Sequence, residues 1–326
     1  MRSSATMVNI PDILNELTNH LMINGNLVFF SGLFYGKLGI SLFFFHYAQY
    51  SGNSLYDEYA RYLVDLVNLQ IHDDYPLDYE RGLAGVGAVF NYLKKHGYYH
   101  ADDELMFQID SKIAKTVNYE RRFGLLTSFG RYFLSRYESN PNVKEPLIQL
   151  VDLLINHSDF AQTDDSDNTL SLMCDLYNRG IEKEMVERCL SESIDAFIMD
   201  VQEEPVSGKL FTLIKLSRIP SCIKHQSSVN EVLNTVFTHK QDQLENIHDL
   251  QWVIQCEKNL IDSKFQIFIP TIKRKIDTII DSFQISQLDE LFTNNQDFAF
   301  KGGYAGLGLA LLSILDIESI SWTTLL

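Results

Sequence analysis

Cysteine is scarce in this sequence, and its spacing excludes the usual disulfide and zinc-finger patterns. The four cysteines, Cys174, Cys189, Cys222 and Cys256, are widely separated, and no Cys-x-x-Cys pair occurs among the 326 residues. Scattered thiols suit a reducing compartment. We therefore expect a cytoplasmic protein in which each cysteine is a small buried residue and not a metal ligand or a nucleophile.

Long apolar runs are missing as well. The longest run, residues 38–47, is too short to cross a bilayer and contains His46. Residues 1–14 lack the charged start and the apolar centre of a secretory signal peptide. The sequence thus predicts neither a membrane span nor secretion.

Positive charge is in deficit. The chain has 27 Lys and Arg against 43 Asp and Glu, for a net charge of −16. Binding to nucleic-acid phosphates requires a basic patch, so we expect no nucleic-acid partner. The same deficit disfavours binding to anionic membrane surfaces. An acidic chain is compatible with a basic or neutral partner.

Familiar catalytic motifs are also absent. The sequence has no phosphate-binding loop, no Gly-x-Ser-x-Gly elbow and no His-Glu-x-x-His pattern. His96 and His100 are four residues apart, but Gly97 between them indicates a helix end rather than a ligand-bearing face. The acidic pairs 73–74 and 164–165 could hold a cation loosely and are better explained as solvated loop residues.

What the sequence does contain is a recurring glycine motif, in which Gly-x-x-Gly leads into an apolar segment. The clear copies are residues 36–39, 82–85 and 303–306. A further copy, the third along the chain, spans residues 127–130 and keeps only the second glycine, Gly130. Weaker copies begin at Asn168, Gly208 and Asp249, so that seven copies follow one another at steps of 40 to 54 residues. A period of this length is typical of repeat architectures.

Each step leaves room for two helices of ordinary length. The segment after a motif is apolar on all sides, as in residues 38–45, which predicts a buried helix. The segment between motifs has one apolar face, as in residues 54–71, where Ser54 would cap the helix. Pro11 and Pro270 would each open a helix.

These patterns predict an all-α fold of seven helix pairs, with an inner ring of apolar helices and an outer ring of amphipathic ones. Such an α/α toroid would form one domain over residues 1–326, with repeats over about 25–315. Residues 159–169 and 294–298 are predicted loops. The motif glycines would allow close backbone approach where each inner helix begins; they are Gly36, Gly39, Gly82, Gly85, Gly130, Gly303 and Gly306.

Seven glycine motifs that open the inner helices of a toroid resemble the lanthionine synthetase C-like family. The stretch around residues 32–60 is similar to the first repeat of bacterial members, and residues 81–93 and 301–315 to the second and last repeats. The resemblance implies a role in peptide modification and lantibiotic biosynthesis. Working members add a Cys thiol of a precursor peptide to a dehydrated residue, and a zinc ion held by two Cys and one His activates that thiol.

This sequence departs from the zinc and catalytic pattern of the family. The two Cys positions are occupied by Val206 and Ile247, and only His248 matches the metal-binding His. Asp167 stands where the family has a catalytic His, and Ser207 where it has a Tyr. One imidazole does not make a zinc site. We therefore expect no metal, no cofactor and no catalytic residue of the cyclase type.

Residues directly before each motif should surround the mouth of a central cavity. The candidates for peptide binding are Tyr35, Arg81, Asp167, Ser207 and His248, and the same positions in the other repeats are Leu126 and Gly302. Three functions stay open. The chain could be a non-catalytic member that binds a precursor peptide or a modification enzyme, an active thioether cyclase, or a carbohydrate-active enzyme using carboxylates such as Glu80 and Asp167.

Overall fold

A computed structural model describes residues 9–72, 74–156, 166–204, 207–239, 250–260, 266–282, 298–315 and 317–325. Within these ranges the chain forms fourteen α-helices and no β-strand, which confirms the all-α prediction. The helices are α1 (Ile10–Asn24), α2 (Lys37–Ser51), α3 (Ser54–Gln70), α4 (Leu83–Lys95), α5 (Asp103–Val117), α6 (Phe123–Arg136), α7 (Lys144–Asn156), α8 (Ser166–Asn178), α9 (Lys183–Glu203), α10 (Ser207–Leu216), α11 (Gln226–His239), α12 (Leu250–Leu260), α13 (Ile269–Ser282) and α14 (Tyr304–Leu315).

The helices alternate in character along the chain. Helices α2, α4 and α14 follow the clearest glycine motifs and are buried on nearly every side. Helix α3 buries one stripe only, made of Ala60, Leu63, Val64 and Val67, and α5 and α7 also bury a single face. The predicted difference between motif helices and intervening helices is therefore confirmed for these elements.

Three of the motifs set the start of their helix as predicted. Gly36 and Gly82 are the residues that cap α2 and α4, and α14 begins directly after Gly303. The third motif differs, because α6 begins at Phe123 and places Thr127 inside the helix. The Glu120 carboxylate accepts the backbone N–H groups of Arg121 and Arg122, both at 2.9 Å, in the turn directly before this helix.

Helix ends show one further difference from prediction. The residue that caps α3 is Asn53, whose side chain accepts the N–H of Leu55 at 3.1 Å, and Ser54 is the first helical residue. An Asn oxygen satisfies the free N–H groups of a first turn as well as a Ser oxygen does. Helix α4 ends at Lys95, and Gly97 has a φ of 73°, as its predicted role in a helix end requires.

The chain divides into two compact units. The first unit comprises residues 1–75, 245–254 and 273–326, and the second comprises residues 76–244 and 255–272. In the first unit, α2 packs against α3 and α14, and α1 packs against α14. In the second unit, α4, α6, α8 and α10 pack in that order, with α5, α7, α9 and α11 beside them.

Two motif glycines of the first unit make close contacts around Phe300. A Cβ atom on Gly39 would overlap the Leu33 carbonyl oxygen and the Cβ of Phe300. A Cβ on Gly306 would overlap the Phe300 carbonyl oxygen and the side-chain amide of Gln251. The motifs of α2 and α14 thus pack against the same residue, Phe300, at a distance that only glycine permits.

A C-terminal 3₁₀ segment, Ile317–Leu325, follows α14 and was not predicted from the sequence. It packs on α14 and buries Trp322 completely. The Trp322 indole Nε1 donates to Ser313 Oγ at 2.9 Å, and its ring meets Phe300 edge-on with centroids 5.8 Å apart. This segment closes the apolar core of the first unit around Phe300.

None of the helices in the described ranges has both the length and the apolar character needed to cross a bilayer.

Candidate functional site

The motif helices of the second unit meet through threonine hydroxyls. Thr127 Oγ1 and Thr169 Oγ1 are 2.8 Å apart, and Thr212 Oγ1 donates to the Asp167 carbonyl at 3.2 Å. The three threonines lie on α6, α8 and α10 and are all buried. Threonine hydroxyls therefore join neighbouring motif helices here, in addition to the close approach of Gly130 on α6 to Leu172 on α8.

Two of the predicted mouth residues lie close together in this region. Asp167 is the second residue of α8 and is half-buried, and its Oδ1 accepts the N–H of Asn168 at 2.8 Å. Its other carboxylate oxygen lies 3.4 Å from where a Cβ on Gly208 would stand. Ser207, the first residue of α10, is next to that glycine. Asp167 and Ser207 therefore belong to adjoining helix starts.

The remaining mouth candidates are not gathered at one place by any described contact. Arg81 is exposed in the turn before α4, and its N–H donates to Asp78 Oδ1 at 2.7 Å. Tyr35 is half-buried in the turn before α2 of the first unit. Leu126 is a buried residue inside α6, so its assignment to the mouth is wrong. His248 lies outside the described residues.

A buried lysine lies deeper between α8 and α10. Lys215 Nζ donates to Asp175 Oδ2 at 2.7 Å and to Ser171 Oγ at 2.9 Å, and it stands 5.2 Å from the centre of the Phe211 ring. Its side chain is 9 % exposed. The sequence analysis missed this residue, although a single charge inside the apolar segment 211–217 was a usable signal. The contacts hold the ammonium as a paired cation.

Tyr79 forms part of the same buried polar region. Burial raises the pKa of Tyr79 to about 12, while the charge of Arg131 lowers it and that of Asp175 raises it. The phenol therefore stays protonated at neutral pH.

The four cysteines are buried, as predicted. Burial raises the pKa of Cys222 to about 11 and the pKa values of Cys189 and Cys256 to about 12. The pKa of Cys174 is also raised, and by the same cause. Because the thiolate is the nucleophilic form, these thiols are unreactive at neutral pH.

The described part of the chain contains no group of three His, Cys, Asp or Glu side chains placed to hold a metal ion. The positions that correspond to the family's zinc ligands, Val206, Ile247 and His248, lie outside that part. The expected loss of the zinc site thus stays a prediction from the sequence.

A polar cavity of about 570 Å³ opens on the second unit, on the side formed by the ends of α4 and α6 and the start of α5. Its walls combine three cations, three carboxylates, several amides and hydroxyls, and two apolar side chains. The lining residues are Asn91, Lys94, Lys95, Asp103, Met106, Phe107, Asp110, Ser135, Arg136, Glu138, Ser139, Asn140 and Asn142. The sequence analysis singled out none of these residues as functional.

Comparison with known proteins adds no assignment, because no protein-family model and no curated protein matches this chain. The argument for function therefore depends on the chain's own residues.

Proposed function

We propose that this chain is a lanthionine synthetase C-like protein of peptide modification that binds a precursor peptide or a partner modification enzyme without forming thioether rings. Its helices would close into an α/α toroid of seven pairs, located in the cytoplasm. The observation that carries the proposal is the alternation of buried motif helices with amphipathic ones, in which α14 of the last repeat packs against α2 of the first. A closed ring requires contact between its first and last repeats.

The residues at the motif positions support binding rather than cyclisation. Asp167, in place of the family's catalytic His, uses one carboxylate oxygen to accept the N–H of its neighbour Asn168. Ser207 replaces a Tyr in the sequence. Polar residues of this kind offer hydrogen bonds to a peptide backbone.

Two alternatives belong to other functional classes. An active thioether cyclase would need a thiolate-and-imidazole zinc site, and all four cysteines of the chain are buried. A carbohydrate-active enzyme would need two carboxylates about 5–10 Å apart across a cleft. Asp167 uses one oxygen, Oδ1, to accept the N–H of Asn168 at its own helix start, which gives the second alternative less support than the first.

The proposal is tested by a binding measurement and a metal analysis on the purified full chain. The probe is a synthetic peptide that carries one dehydroalanine, one free Cys and a fluorophore, titrated by fluorescence anisotropy. We expect saturable binding, less than about 0.1 equivalent of zinc, and weaker binding by Arg81→Glu because that change reverses a charge at the proposed mouth. Lys115→Glu, an equal charge change at another exposed site of the second unit, is the control.

Stoichiometric zinc would favour the active cyclase. Failure to bind both this peptide and its unmodified serine form would overturn the peptide-binding proposal. Equal losses of peptide affinity in Arg81→Glu and Lys115→Glu would show that binding depends on the overall charge and not on the mouth residues.

A further inference from the structure

The floor of the cavity in the second unit is a preformed polar network. Arg136 Nη2 and Nε donate to the two oxygens of Asp110 at 2.8 and 3.3 Å, and both side chains are about nine-tenths buried. Tyr132 and Asn140 also donate to Asp110, the latter at 2.7 Å. Arg136 Nη1 reaches Asn91 Oδ1 at 3.0 Å. Because each carboxylate oxygen has two donors, the floor is rigid before any ligand arrives.

The rim, in contrast, is held by solvated ion pairs. Lys94 Nζ lies 2.6 Å from Asp103 Oδ1, and Lys95 Nζ lies 3.4 Å from Glu138 Oε2. The carboxylate side chains are 86 % exposed at Asp103 and 67 % exposed at Glu138. Ion pairs this exposed add little to stability, so the two lysines can exchange their partners at low cost.

Both rim carboxylates have a second source of stabilisation. Glu138 Oε1 lies 3.5 Å from Arg179 Nη1, so Glu138 keeps a cation when Lys95 leaves. Asp103 is in the first turn of α5, where the helix dipole favours a negative charge. The lysines follow one another at the end of α4, and both line the cavity.

The surroundings of the cavity are less acidic than the chain as a whole. Residues 91–145 carry nine Lys and Arg against seven Asp and Glu, whereas the entire chain has a net charge of −16. Phe107 lies on the cavity wall with 61 % of its surface exposed. An anion therefore meets less net repulsion from this segment than from an average segment of the chain, and an apolar side chain next to it gains a contact surface.

We propose that this cavity binds an acidic peptide segment, whose carboxylates take the places of Asp103 and Glu138 on Lys94 and Lys95 and whose neighbouring apolar side chain packs on Phe107. This inference rests on the proposed peptide-binding function and assigns it a second contact, separate from the mouth residues.

The test compares two blocked tetrapeptides with a neutral fluorophore, Glu-Glu-Leu-Phe and Gln-Gln-Leu-Phe, by anisotropy with the full chain. We expect the acidic peptide to bind at least fivefold more tightly, and this preference to weaken as salt rises from 50 to 300 mM. The double variant Lys94→Gln, Lys95→Gln should lose the preference. Lys115→Gln, outside the cavity lining, is the matched control and should keep it. Thermal melts establish that each variant is folded.

The inference is overturned if the two peptides bind equally, if neither binds, or if the double variant retains the preference for the acidic peptide. A second variant, Phe107→Ser, should weaken both peptides by a similar factor, and no effect would contradict the apolar contact. Loss of binding in Arg81→Glu with no change in the Lys94 and Lys95 variant would leave the proposed function standing and remove only this cavity from it.

Discussion

The contacts between neighbouring motif helices differ in part between the two units. In the first unit, Gly39 and Gly306 bring backbone against Phe300 so closely that no Cβ fits. In the second unit, Thr127, Thr169 and Thr212 connect α6, α8 and α10 through hydroxyl groups. Glycine is tightly packed there as well, since a Cβ on Gly87 would overlap Tyr132 and one on Gly130 would overlap Leu172, whereas a Cβ on Gly208 would meet only Asp167 at an ordinary 3.4 Å.

The comparison shows that one repeat can be maintained by two kinds of contact. Where both glycines are kept, close approach of the backbone joins the helices. Where the first glycine of the motif is lost, as at Thr127, a buried hydrogen bond between side chains adds to the contact. The second kind introduces polar groups at the helix starts, and those groups are what a binding surface requires.

The largest expected effect comes from adding one methyl group to the first unit. Gly306→Ala should lower the free energy of unfolding by about 3 kcal/mol or more, because the new Cβ overlaps the Phe300 carbonyl and Gln251. Gly208→Ala in the second unit is the control and should range from no change to a gain of about 1 kcal/mol. Urea denaturation of the two variants measures the difference. Equal stabilities would contradict the close-contact role of Gly306.

The next effect concerns the hydroxyl pair of the second unit. Thr127→Val should cost about 1–2 kcal/mol, because it leaves the buried Thr169 hydroxyl without this partner. The double change Thr127→Val, Thr169→Val should be closer to the parent than either single change, since no unpaired hydroxyl then remains. A double-mutant cycle measures this coupling. Additive losses would show that the hydroxyls do not act together.

A smaller effect is expected at Lys209, which follows the first glycine of its motif as Lys37 does in the first motif. Burial lowers the pKa of Lys209, but its hydrogen bonds to Asp200 and Glu204 prevail and the pKa is raised above its usual 10.5. The stabilisation is therefore present below pH 10.5 and lost as pH rises through the raised value. Lys209→Met should cost about 0.5–1 kcal/mol at pH 7. Melting curves between pH 7 and 11 test the loss.

The smallest effect, of opposite sign, is expected at Lys37. This residue is 3 % exposed and its ammonium donates to the Val28 carbonyl, and burial lowers its pKa below 10.5. The parent should therefore gain stability as pH rises from that lowered pKa to 10.5. Lys37→Met removes this gain and should change stability by less than about 1 kcal/mol at pH 7. A parent and variant with parallel pH profiles would contradict the shift.

The sequence was sufficient to predict the helix alternation, because the period and the apolar content of each segment depend only on local residues. It did not predict that α6 begins at Phe123, since no glycine marks that position. Asp110 and Arg136 are 26 residues apart in the sequence and lie on different helices, α5 and α6. The sequence alone gives no sign that these two charges form a buried pair. Trp322 was missed because nothing in its neighbourhood repeats.

The candidate site was predicted less well, because its residues could be located only through the spacing of the glycine motif. Asp167 and Ser207 were located through the motif spacing and do lie at adjoining helix starts. Leu126 was misplaced, because the third repeat has no glycine at Thr127 to mark where its helix begins.

A single-turnover cyclisation assay tests the central claim most directly. The full chain is mixed in excess with the dehydrated, Cys-containing peptide, with and without added Zn²⁺, and thioether formation is followed by mass spectrometry after alkylation of the remaining thiols. Our account predicts that the bound peptide closes its ring no faster than the free peptide under either condition. Ring closure accelerated by the protein would contradict it.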